Sequence, residues 1–381
     1  MTPKRILMVT YEFPPLFGGV GTYCVEIARA ATELGHHVTV LAPDHGTDDA
    51  AYDATLPFTV ERLPIAAYIA HPVRSLLTYV RRLLRPDVAN YDVLHLADWP
   101  PIVAARLISL IKPLRFRLIL HGTDALLLNQ ARLPKLVKAG RVLAKADKVV
   151  ANSRYTLATA RREHPYITDA QSVVALLGVR ASWFEPADDI VTLRQRYGIP
   201  DERRILLSVS RLDQRKGHRH VLEALSRLST QDKAGIAYVV VGKAGDAGHA
   251  AALEKQAAGI GLPVIFTGPL PEDEVRTFYA GAYLFLLLGE DRSDKIEGFG
   301  LVFLEAAAQG VPSLSTAIGG VPEVVLDGKT GLLVADRDPD AAAKAIAQLL
   351  GDEAMRDELG RNARDWASTL TWQRCAELTF A

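Results

Sequence analysis

The sequence has few of the features that mark secreted or membrane-spanning proteins. Only two cysteines, Cys24 and Cys375, occur in 381 residues, so free thiols in a reducing compartment are expected rather than a disulfide framework. The longest apolar runs, such as 283–288, are far shorter than the roughly 20 residues that span a bilayer. Lys4 and Arg5 lead into an apolar run too short for a signal peptide. These absences predict a soluble, cytoplasmic protein.

The formal net charge is zero at pH 7, but the charges are unevenly distributed along the chain. The chain has 44 Lys and Arg against 44 Asp and Glu, whereas residues 71–185 contain 18 basic and 8 acidic side chains. A basic surface of this kind suits anionic lipid headgroups, a phosphorylated substrate or nucleic acid. An ordinary solvated surface is the alternative.

One segment of this basic region, HPVRSLLTYVRRLLRP (71–86), has the pattern of an amphipathic helix. On a helix, one face would carry Leu76, Leu77, Val80, Leu83 and Leu84, and the flanks would carry Arg74, Arg81, Arg82 and Arg85. The pattern predicts either a helix at a membrane surface or a helix that packs on the core.

Short apolar strands alternate with helical patterns along the chain, which predicts an α/β fold with parallel, doubly wound sheets. In the first half, strands are predicted at 4–11, 37–42, 92–96, 117–121, 148–151 and 172–176. After a polar, proline-containing stretch near 183–200, interpreted as a linker, strands are predicted at 204–210, 236–241, 264–267, 283–288, 312–315 and 330–334. The chain therefore consists of two similar halves, and ligands are expected in the cleft between them, beyond the carboxyl ends of strands.

The turn after the first strand, in YEFPPLFGGVGTY (11–23), is rich in glycine. Gly18 and Gly19 open a helix, and glycine lets the backbone approach a ligand closely. A helix N-terminus adds unpaired amides and about half a positive charge. The turn predicts a phosphate cradle, although glycine-rich turns between strand and helix are also common structural devices.

Two cations follow the first strand of the second half, in SVSRLDQRKG (208–217). Arg211 and Lys216 would lie at the carboxyl end of a parallel strand, where two positive charges suit a diphosphate. Surface charge at the start of a helix is the alternative interpretation.

Two glutamates stand eight positions apart in EGFGLVFLEAAAQG (297–310). Glu297 belongs to a loop, and Gly298–Leu301 lead into a helix whose first amides could hold phosphate or a sugar hydroxyl. Glu305 lies in that helix among apolar residues, where burying a carboxylate costs free energy unless a polar partner compensates for the lost water. The vicinal hydroxyls of a ribose would do so, as would a neighbouring arginine or backbone group.

These motifs together resemble the retaining GT-B glycosyltransferases of family 4 (glycosyl transferases group 1), including phosphatidylinositol mannosyltransferase-like members. The resemblance rests on the two-glutamate stretch, on IGGVPEVVLDGKTGLL (318–333), and on matching positions in FGGVGTY, HGTD (121–124) and SVSRLDQRKG. It covers nearly the whole chain. It implies a GT-B fold of two Rossmann-like domains facing each other across a cleft. Domain 1–183 would bind the acceptor, domain 184–365 would bind the donor, and a C-terminal helix near 366–381 would pack back on the first domain.

The resemblance also implies a role for each site residue. Gly18 and Gly19 would approach the donor phosphate, Arg211 and Lys216 would neutralise the diphosphate, and Glu305 would hold the ribose. Glu297 would face the hydroxyls of the transferred sugar, and amides of the stretch Gly298, Phe299, Gly300 and Leu301 would contact sugar and phosphate. His121 would orient the sugar near its reacting carbon rather than act as a base.

No metal and no other cofactor is expected. Cations and helix amides can stabilise the charge on a leaving nucleoside diphosphate, and Asp291 and Asp294 look like solvated loop residues rather than metal ligands. The expected partners are a UDP-, GDP- or ADP-linked hexose and a glycan, lipid-linked or small-molecule acceptor, without nucleic acid. Peripheral contact with the inner face of an anionic membrane is compatible with the basic segment.

Three other functions are compatible with parts of the sequence. An NAD-dependent oxidoreductase would explain the first strand, the glycine-rich turn and Asp44, but it leaves Arg211, Lys216 and the two glutamates unexplained. A GT-B sugar-nucleotide epimerase would use the same donor residues. A protein that binds a sugar nucleotide without catalysis is the third alternative.

Overall fold

The structure is a computed structural model that describes residues 2–15, 18–46, 49–65 and 72–381. His71, at the start of the predicted amphipathic segment, and Leu16 and Phe17, in the glycine-rich turn, lie outside these residues. The chain divides into two compact units. The first comprises residues up to Gly178 together with Asp294–Phe299 and Thr371–Ala381, and the second comprises Val179–Ser293 and Gly300–Leu370.

The first unit is built on a seven-stranded parallel sheet with the strand order β3-β2-β1-β4-β5-β6-β7. The strands are β1 Arg5–Val9, β2 His37–Pro43, β3 Thr59–Leu63, β4 Val93–Leu96, β5 Arg117–Leu120, β6 Lys148–Ala151 and β7 Ser172–Val174. Its helices are α1 Gly19–Glu33, α2 Asp49–Asp53, α3 Pro72–Leu83, α4 Trp99–Ile108, α5 Thr123–Gln130, α6 Arg132–Leu136 and α7 Arg154–Glu163, with short 3-10 turns at Pro86–Asn90 and Ala139–Lys145. β4 is buried at every position, and β1 and β5 are buried at every position after their first residue, as expected for a sheet covered by helices on both faces.

The second unit has a six-stranded parallel sheet with the order β10-β9-β8-β11-β12-β13. These strands are β8 Arg204–Val209, β9 Ile236–Val241, β10 Val264–Gly268, β11 Ala282–Leu287, β12 Ser313–Thr316 and β13 Gly331–Val334. The helices are α8 Val191–Tyr197, α9 His218–Ser226, α10 Thr230–Ala234, α11 Ala247–Ala257, α12 Glu272–Ala280, α13 Leu301–Ala308, α14 Pro339–Gly351 and α15 Glu353–Thr369, with 3-10 turns at Ala181–Phe184, Gln214–Lys216 and Val321–Glu323. β8 lies at the centre, between β9 and β11.

The last helix, α16 (Trp372–Phe380), belongs to the first unit, where it packs on α1. Hydrogen bonds hold it there, because Lys4 Nζ donates to the Phe380 carbonyl at 2.5 Å and Arg117 donates to that of Thr379 at 3.0 Å. Gly178 lies directly against the backbone of Trp372, where a Cβ would come within 2.2 Å of the Trp372 nitrogen.

The predicted α/β class and the doubly wound, parallel sheets are confirmed, with two differences of detail. Strand β3, TVERL, was not predicted, because its short, partly polar sequence resembles a loop. The prediction that the stretch 183–200 is a simple linker is wrong. The stretch contains helix α8, whose Leu193 is buried, and the end of a 3-10 turn whose Trp183 is buried.

Helix α3 is amphipathic as predicted, but Arg82 was wrongly placed among its surface cations. Arg82 is only 4% exposed and forms ion pairs with Glu61 at 2.6 Å and Asp87 at 3.0 Å. Leu76 and Leu83, on the same side of the helix, pack into the core. None of the helices in the part of the chain that the structure describes combines the length and apolar content needed to cross a bilayer.

Candidate functional site

His121 directly follows β5, at the carboxyl end of the first sheet. Its Nε2 lies 3.0 Å from the Ala97 carbonyl oxygen, and because a carbonyl only accepts, this nitrogen carries a proton. The ring is also packed edge-on against Tyr23, with ring centres 4.9 Å apart. Burial lowers the pKa of His121 to about 4. The imidazole is therefore neutral and held in one orientation near pH 7.

The turn after His121 brings Asp124 back to the start of α5. The Asp124 carboxylate accepts the His121 backbone N–H at 3.0 Å, and burial raises the Asp124 pKa to about 6. Gly122 between them has φ +118°, a conformation that side chains rarely adopt. This turn therefore fixes the position of the His121 backbone.

The segment Asp294–Phe299, which contains Glu297, docks on this same turn within the first unit. The Ile296 N–H donates to the Thr123 hydroxyl at 3.1 Å. Gly298 lies so close to His121 that an added Cβ would stand 1.9 Å from the His121 carbonyl oxygen. The structure thus brings His121, Glu297, Gly298 and Phe299 together, and glycine at 298 is a steric requirement of that contact.

The glycine-rich turn at the start of α1 holds a carboxylate of the protein itself. Glu12 Oε1 accepts the Gly21 N–H at 3.0 Å, and a Cβ on Gly18 would come within 2.0 Å of that oxygen. Gly19, the first residue of α1, has open space around its Cα. One amide of the predicted phosphate cradle, that of Gly21, therefore already donates a hydrogen bond to Glu12. No role was predicted for Glu12 from the sequence.

Buried Asp98 organises the chain that leads to Glu12. Its Oδ2 accepts the Thr10 hydroxyl at 2.8 Å and the backbone N–H groups of Tyr11 and Glu12 at 2.6 and 3.2 Å. Burial raises the Asp98 pKa to about 8. The end of β1 is thereby fixed by a residue nearly ninety positions away along the chain.

In the second unit, Arg211 and Lys216 lie just beyond the carboxyl end of β8. Lys216 ends the 3-10 turn Gln214–Lys216, and Asp213 caps that turn by accepting the Arg215 N–H at 3.2 Å. The next residue, Gly217, has φ +70°, and a Cβ there would lie 1.6 Å from the Leu288 carbonyl oxygen. The turn is therefore packed tightly onto the chain that follows β11.

Two helices near this edge begin without a capping side chain. α9 starts after Gly217 and α13 starts after Gly300, both glycines have left-handed backbones, and neither helix has an acid in its first turn. By contrast, α10, α11, α14 and α15 of the same unit are capped by Ser229, Asp246, Asp338 and Asp352. In the part of the chain that the structure describes, no N-cap side chain accepts the first amides of α9 and α13, the latter beginning at Leu301, as in anion-binding helix termini.

Glu305 lies on α13 and accepts a hydrogen bond from Tyr279. The Tyr279 hydroxyl is 3.1 Å from Glu305 Oε2 and 3.2 Å from the Val302 carbonyl. Burial raises the pKa of Glu305 to about 7, and the Tyr279 hydrogen bond opposes that rise. The hydrogen bond from Tyr279 therefore offsets part of the free energy that burying the Glu305 carboxylate costs.

The site residues thus form two groups, each within one unit. His121, Glu297, Gly298, Phe299, Gly18 and Gly19 belong to the first unit, and Arg211, Lys216, Gly300, Leu301 and Glu305 belong to the second. Glu12, Asp98 and Tyr279 were missed; of these, only Glu12 had a local signal, since it precedes Pro14-Pro15 and the glycine-rich turn. The described residues contain no group of three or more His, Cys, Asp and Glu suited to a metal ion.

Comparison with known proteins identifies the family. The family described as Glycosyltransferase Family 4 matches residues 17–181, and that described as Glycosyl transferases group 1 matches residues 189–366. A GDP-mannose-dependent alpha-(1-6)-phosphatidylinositol monomannoside mannosyltransferase of Mycolicibacterium smegmatis is 31% identical, over 97% of this chain and 94% of its own. The chain belongs to glycosyltransferase family 4.

The chain is also similar to a second relative and to a solved structure. A D-inositol 3-phosphate glycosyltransferase of a Nocardioides species is 27% identical over 99% of this chain and 89% of its own. The fold matches that of Anabaena HepE, solved in complex with UDP and glucose, with a TM-score of 0.79 at 20% identity over 98% of this chain and 97% of that one.

Membership of family 4 gives the chain a GT-B fold and makes it a glycosyltransferase. The comparisons therefore do not favour the epimerase, the oxidoreductase or the non-catalytic binding protein considered from the sequence.

Proposed function

We propose that this glycosyltransferase moves a hexose from a nucleoside-diphosphate sugar to a hydroxyl group of a glycolipid acceptor, with retention of configuration and without a metal ion. The proposal rests on the groups at the carboxyl ends of two strands of the second sheet, β8 and β11. The Lys216 turn and α9 follow β8, α13 follows the neighbouring strand β11, and neither helix has a side-chain cap at its N-terminus. Cations and fixed amide dipoles at one sheet edge are suited to a charged diphosphate.

One set of residues would bind the nucleoside-diphosphate part of the donor. Arg211 and Lys216 would neutralise the diphosphate, the amides of Gly300 and Leu301 would donate to phosphate oxygens, and Glu305 would accept two ribose hydroxyls. The bond between the anomeric carbon and the terminal phosphate oxygen breaks as charge builds on that oxygen. Preorganised positive groups stabilise this charge without reorganising, which is the largest contribution available to such a site.

A second set of side chains and amides would contact the transferred sugar. Neutral His121 would orient a sugar hydroxyl through its unprotonated Nδ1, while Gly298 and Phe299 amides and the Glu297 carboxylate would contact other polar groups of the sugar. The acceptor oxygen forms its bond on the face from which the diphosphate leaves, and its proton passes to the departing phosphate oxygen. No side chain then needs to act as a nucleophile.

A guanine nucleotide and mannose are the first donor to test, and an inositol-containing lipid is the first acceptor. The relative that shares 31% identity is named a GDP-mannose-dependent phosphatidylinositol monomannoside mannosyltransferase. The more distant Nocardioides relative is also named for an inositol acceptor, D-inositol 3-phosphate. UDP- and ADP-sugars belong in the same screen, because HepE was solved with UDP and glucose.

The proposal is tested by incubating the protein with GDP-mannose, UDP-glucose and ADP-glucose, with and without EDTA and phosphatidylinositol-type acceptors. We expect release of one nucleoside diphosphate, unchanged by EDTA, and an α-linked product from the α-linked donor. No turnover or binding of any of the three donors would contradict the transferase proposal. A β-linked product would contradict retention, and loss of activity in EDTA would contradict metal independence.

Glu305 gives the proposed donor site a specific pH dependence. Its folded pKa of about 7 lies above the ordinary value of 4.5, and the ionised carboxylate accepts hydrogen bonds from both ribose hydroxyls more strongly than the protonated acid does. Donor binding should therefore be strongest above the folded pKa and weaken as pH falls through it. We expect the KM for the sugar nucleotide to rise up to about tenfold from about pH 8 to about pH 6.

The matched control for this prediction is Glu305→Gln. Its KM should be higher throughout and nearly independent of pH in the same window. A sugar nucleotide is the right ligand because its terminal phosphate is esterified and does not titrate there. An identical pH profile for both proteins would contradict the role of Glu305.

We also propose that helix α3 brings the enzyme to an anionic membrane. Val73, Leu77 and Leu84 are exposed along one side of the helix and its C-terminal end. Exposed Arg74, Arg81 and Arg85 form the adjacent strip. An apolar strip beside a cationic strip is typical of helices that lie in a lipid interface.

Replacing Arg74, Arg81 and Arg85 with alanine should lower binding to phosphatidylglycerol-containing vesicles by at least about tenfold, since each cation near such a surface contributes about 1 kcal/mol. Co-sedimentation with these vesicles, compared with pure phosphatidylcholine, measures the effect. A variant that removes the exposed cations Lys255, Lys344 and Arg361 of the second unit has the same net charge and should bind like the wild type. Equal sedimentation of the two variants would contradict the proposal.

A further inference from the structure

A buried pair of ionisable side chains in the second unit lies outside the proposed donor contacts. Glu290 Oε1 is 3.0 Å from His220 Nε2, and their side chains are only 14% and 5% exposed. Removing a carboxylate and an imidazole from water is costly, and apolar residues of similar size would often stabilise a protein equally well. We therefore looked for a role of this pair other than stabilising the fold.

Glu290 makes contacts on both sides of Lys216. Its backbone N–H donates to the carbonyl of Arg215, the residue before Lys216, at 2.9 Å. Its carboxylate reaches His220, four positions after Lys216, in the first turn of α9. A single residue that follows β11 thus bridges the two ends of the short segment that carries Lys216.

The position of Glu290 is itself closely determined. Gly217 packs against the Leu288 carbonyl, where a Cβ would stand at 1.6 Å. The Thr316 hydroxyl donates to the Gly289 carbonyl at 2.6 Å. Arg337 lies 3.6 Å from the second oxygen of the Glu290 carboxylate. The backbone before Glu290 is therefore anchored to two neighbouring parts of the unit.

We propose that Glu290 and His220 are positioning residues that hold Lys216 in place for the diphosphate. They act through Lys216 and do not touch the donor. A long, flexible lysine side chain loses affinity when the backbone beneath it can move, because each ligand-bound orientation must then be selected from more conformations. This inference rests on the proposed binding of a nucleoside diphosphate.

The chain supplies a matched control in Glu223. Its Oε2 lies 3.3 Å from His220 Nδ1, so it contacts the opposite nitrogen of the same ring. Glu223 belongs to α9, the helix that carries His220, and makes no bridge across Lys216. A general loss of His220 packing would follow from either substitution, whereas loss of the bridge follows only from changing Glu290.

The test measures GDP, UDP and ADP affinity by calorimetry for the wild type and for Glu290→Ala, Glu290→Gln and Glu223→Ala. We expect Glu290→Ala to weaken binding of the preferred nucleotide about tenfold. Glu290→Gln, which keeps a side-chain acceptor oxygen for His220, should stay within about twofold of wild type, as should Glu223→Ala. Equal losses in Glu290→Ala and Glu223→Ala would overturn the inference.

A double-mutant cycle with Lys216→Ala separates positioning from structural damage. If Glu290 acts through Lys216, then Glu290→Ala should have almost no further effect on affinity or on kcat/KM in the Lys216→Ala background. A tenfold loss in both backgrounds would overturn the inference while leaving the donor site in place. A wild-type protein that binds none of the three nucleotides would instead overturn the proposed function, and this inference with it.

Discussion

Replacing Lys216 with alanine should weaken the binding of the preferred nucleoside diphosphate by roughly 30- to 150-fold. Lys216 ends the turn Gln214–Lys216 and is followed by Gly217 and the start of α9, which has no side-chain cap. A hydrogen bond between charged partners contributes about 2–3 kcal/mol to binding, which corresponds to that range of affinity. Calorimetric titration of GDP, UDP and ADP measures the loss directly.

The matched control for Lys216 is Lys344→Ala, which removes an exposed lysine of α14 in the same unit. It should bind nucleotide like the wild type. Lys344→Ala should also melt near the wild-type temperature in the absence of ligand, because substitutions of exposed residues usually change stability by less than about 0.5 kcal/mol. Equal nucleotide affinity in the two variants would remove Lys216 from the site.

Gly298→Ala should lower kcat/KM by about a hundredfold or more. The new Cβ would stand 1.9 Å from the His121 carbonyl oxygen and 3.0 Å from the Asn152 amide nitrogen. Because a backbone oxygen cannot rotate away, the segment that carries Glu297 must move relative to His121. Displacements of about 1 Å in such positioning elements can reduce turnover a hundredfold. Steady-state kinetics with the preferred donor provide the measurement.

Gly259→Ala is the appropriate control for this steric argument. A Cβ at Gly259 meets nothing within 4 Å, so activity and stability should stay close to those of the wild type. A Gly298→Ala enzyme with normal kcat/KM would show that the contact with His121 has no part in turnover.

Much of the fold could be predicted from sequence because the strands of buried parallel sheets are nearly continuous apolar runs. β9, for example, reads IAYVVV and is buried at all six positions. Strand β3 escaped prediction because its polar sequence takes the form of a strand only through pairing with β2. Arg82 was misplaced because periodicity alone does not reveal that Glu61, 21 positions earlier, meets it.

The site was less predictable than the fold, since its partners come from distant segments. That Glu305 sits in an apolar helix can be read directly from sequence, but its hydrogen bond to Tyr279 spans 26 positions. The contact between Glu290 and His220 spans 70 positions, and that between Thr10 and Asp98 spans 88. Such pairs depend on which strands become neighbours, which the sequence of a single chain does not specify.

We propose that Arg211, Lys216 and the helix amides near them bind a diphosphate without a metal. Calorimetric titration of GDP, UDP and ADP in EDTA, with the wild type and an Arg211→Ala, Lys216→Ala double variant, measures this binding. At least one nucleotide should bind the wild type in EDTA, and the double variant should lose at least a hundredfold in affinity. Binding that needs a divalent metal, or that is equally tight in the double variant, would contradict it.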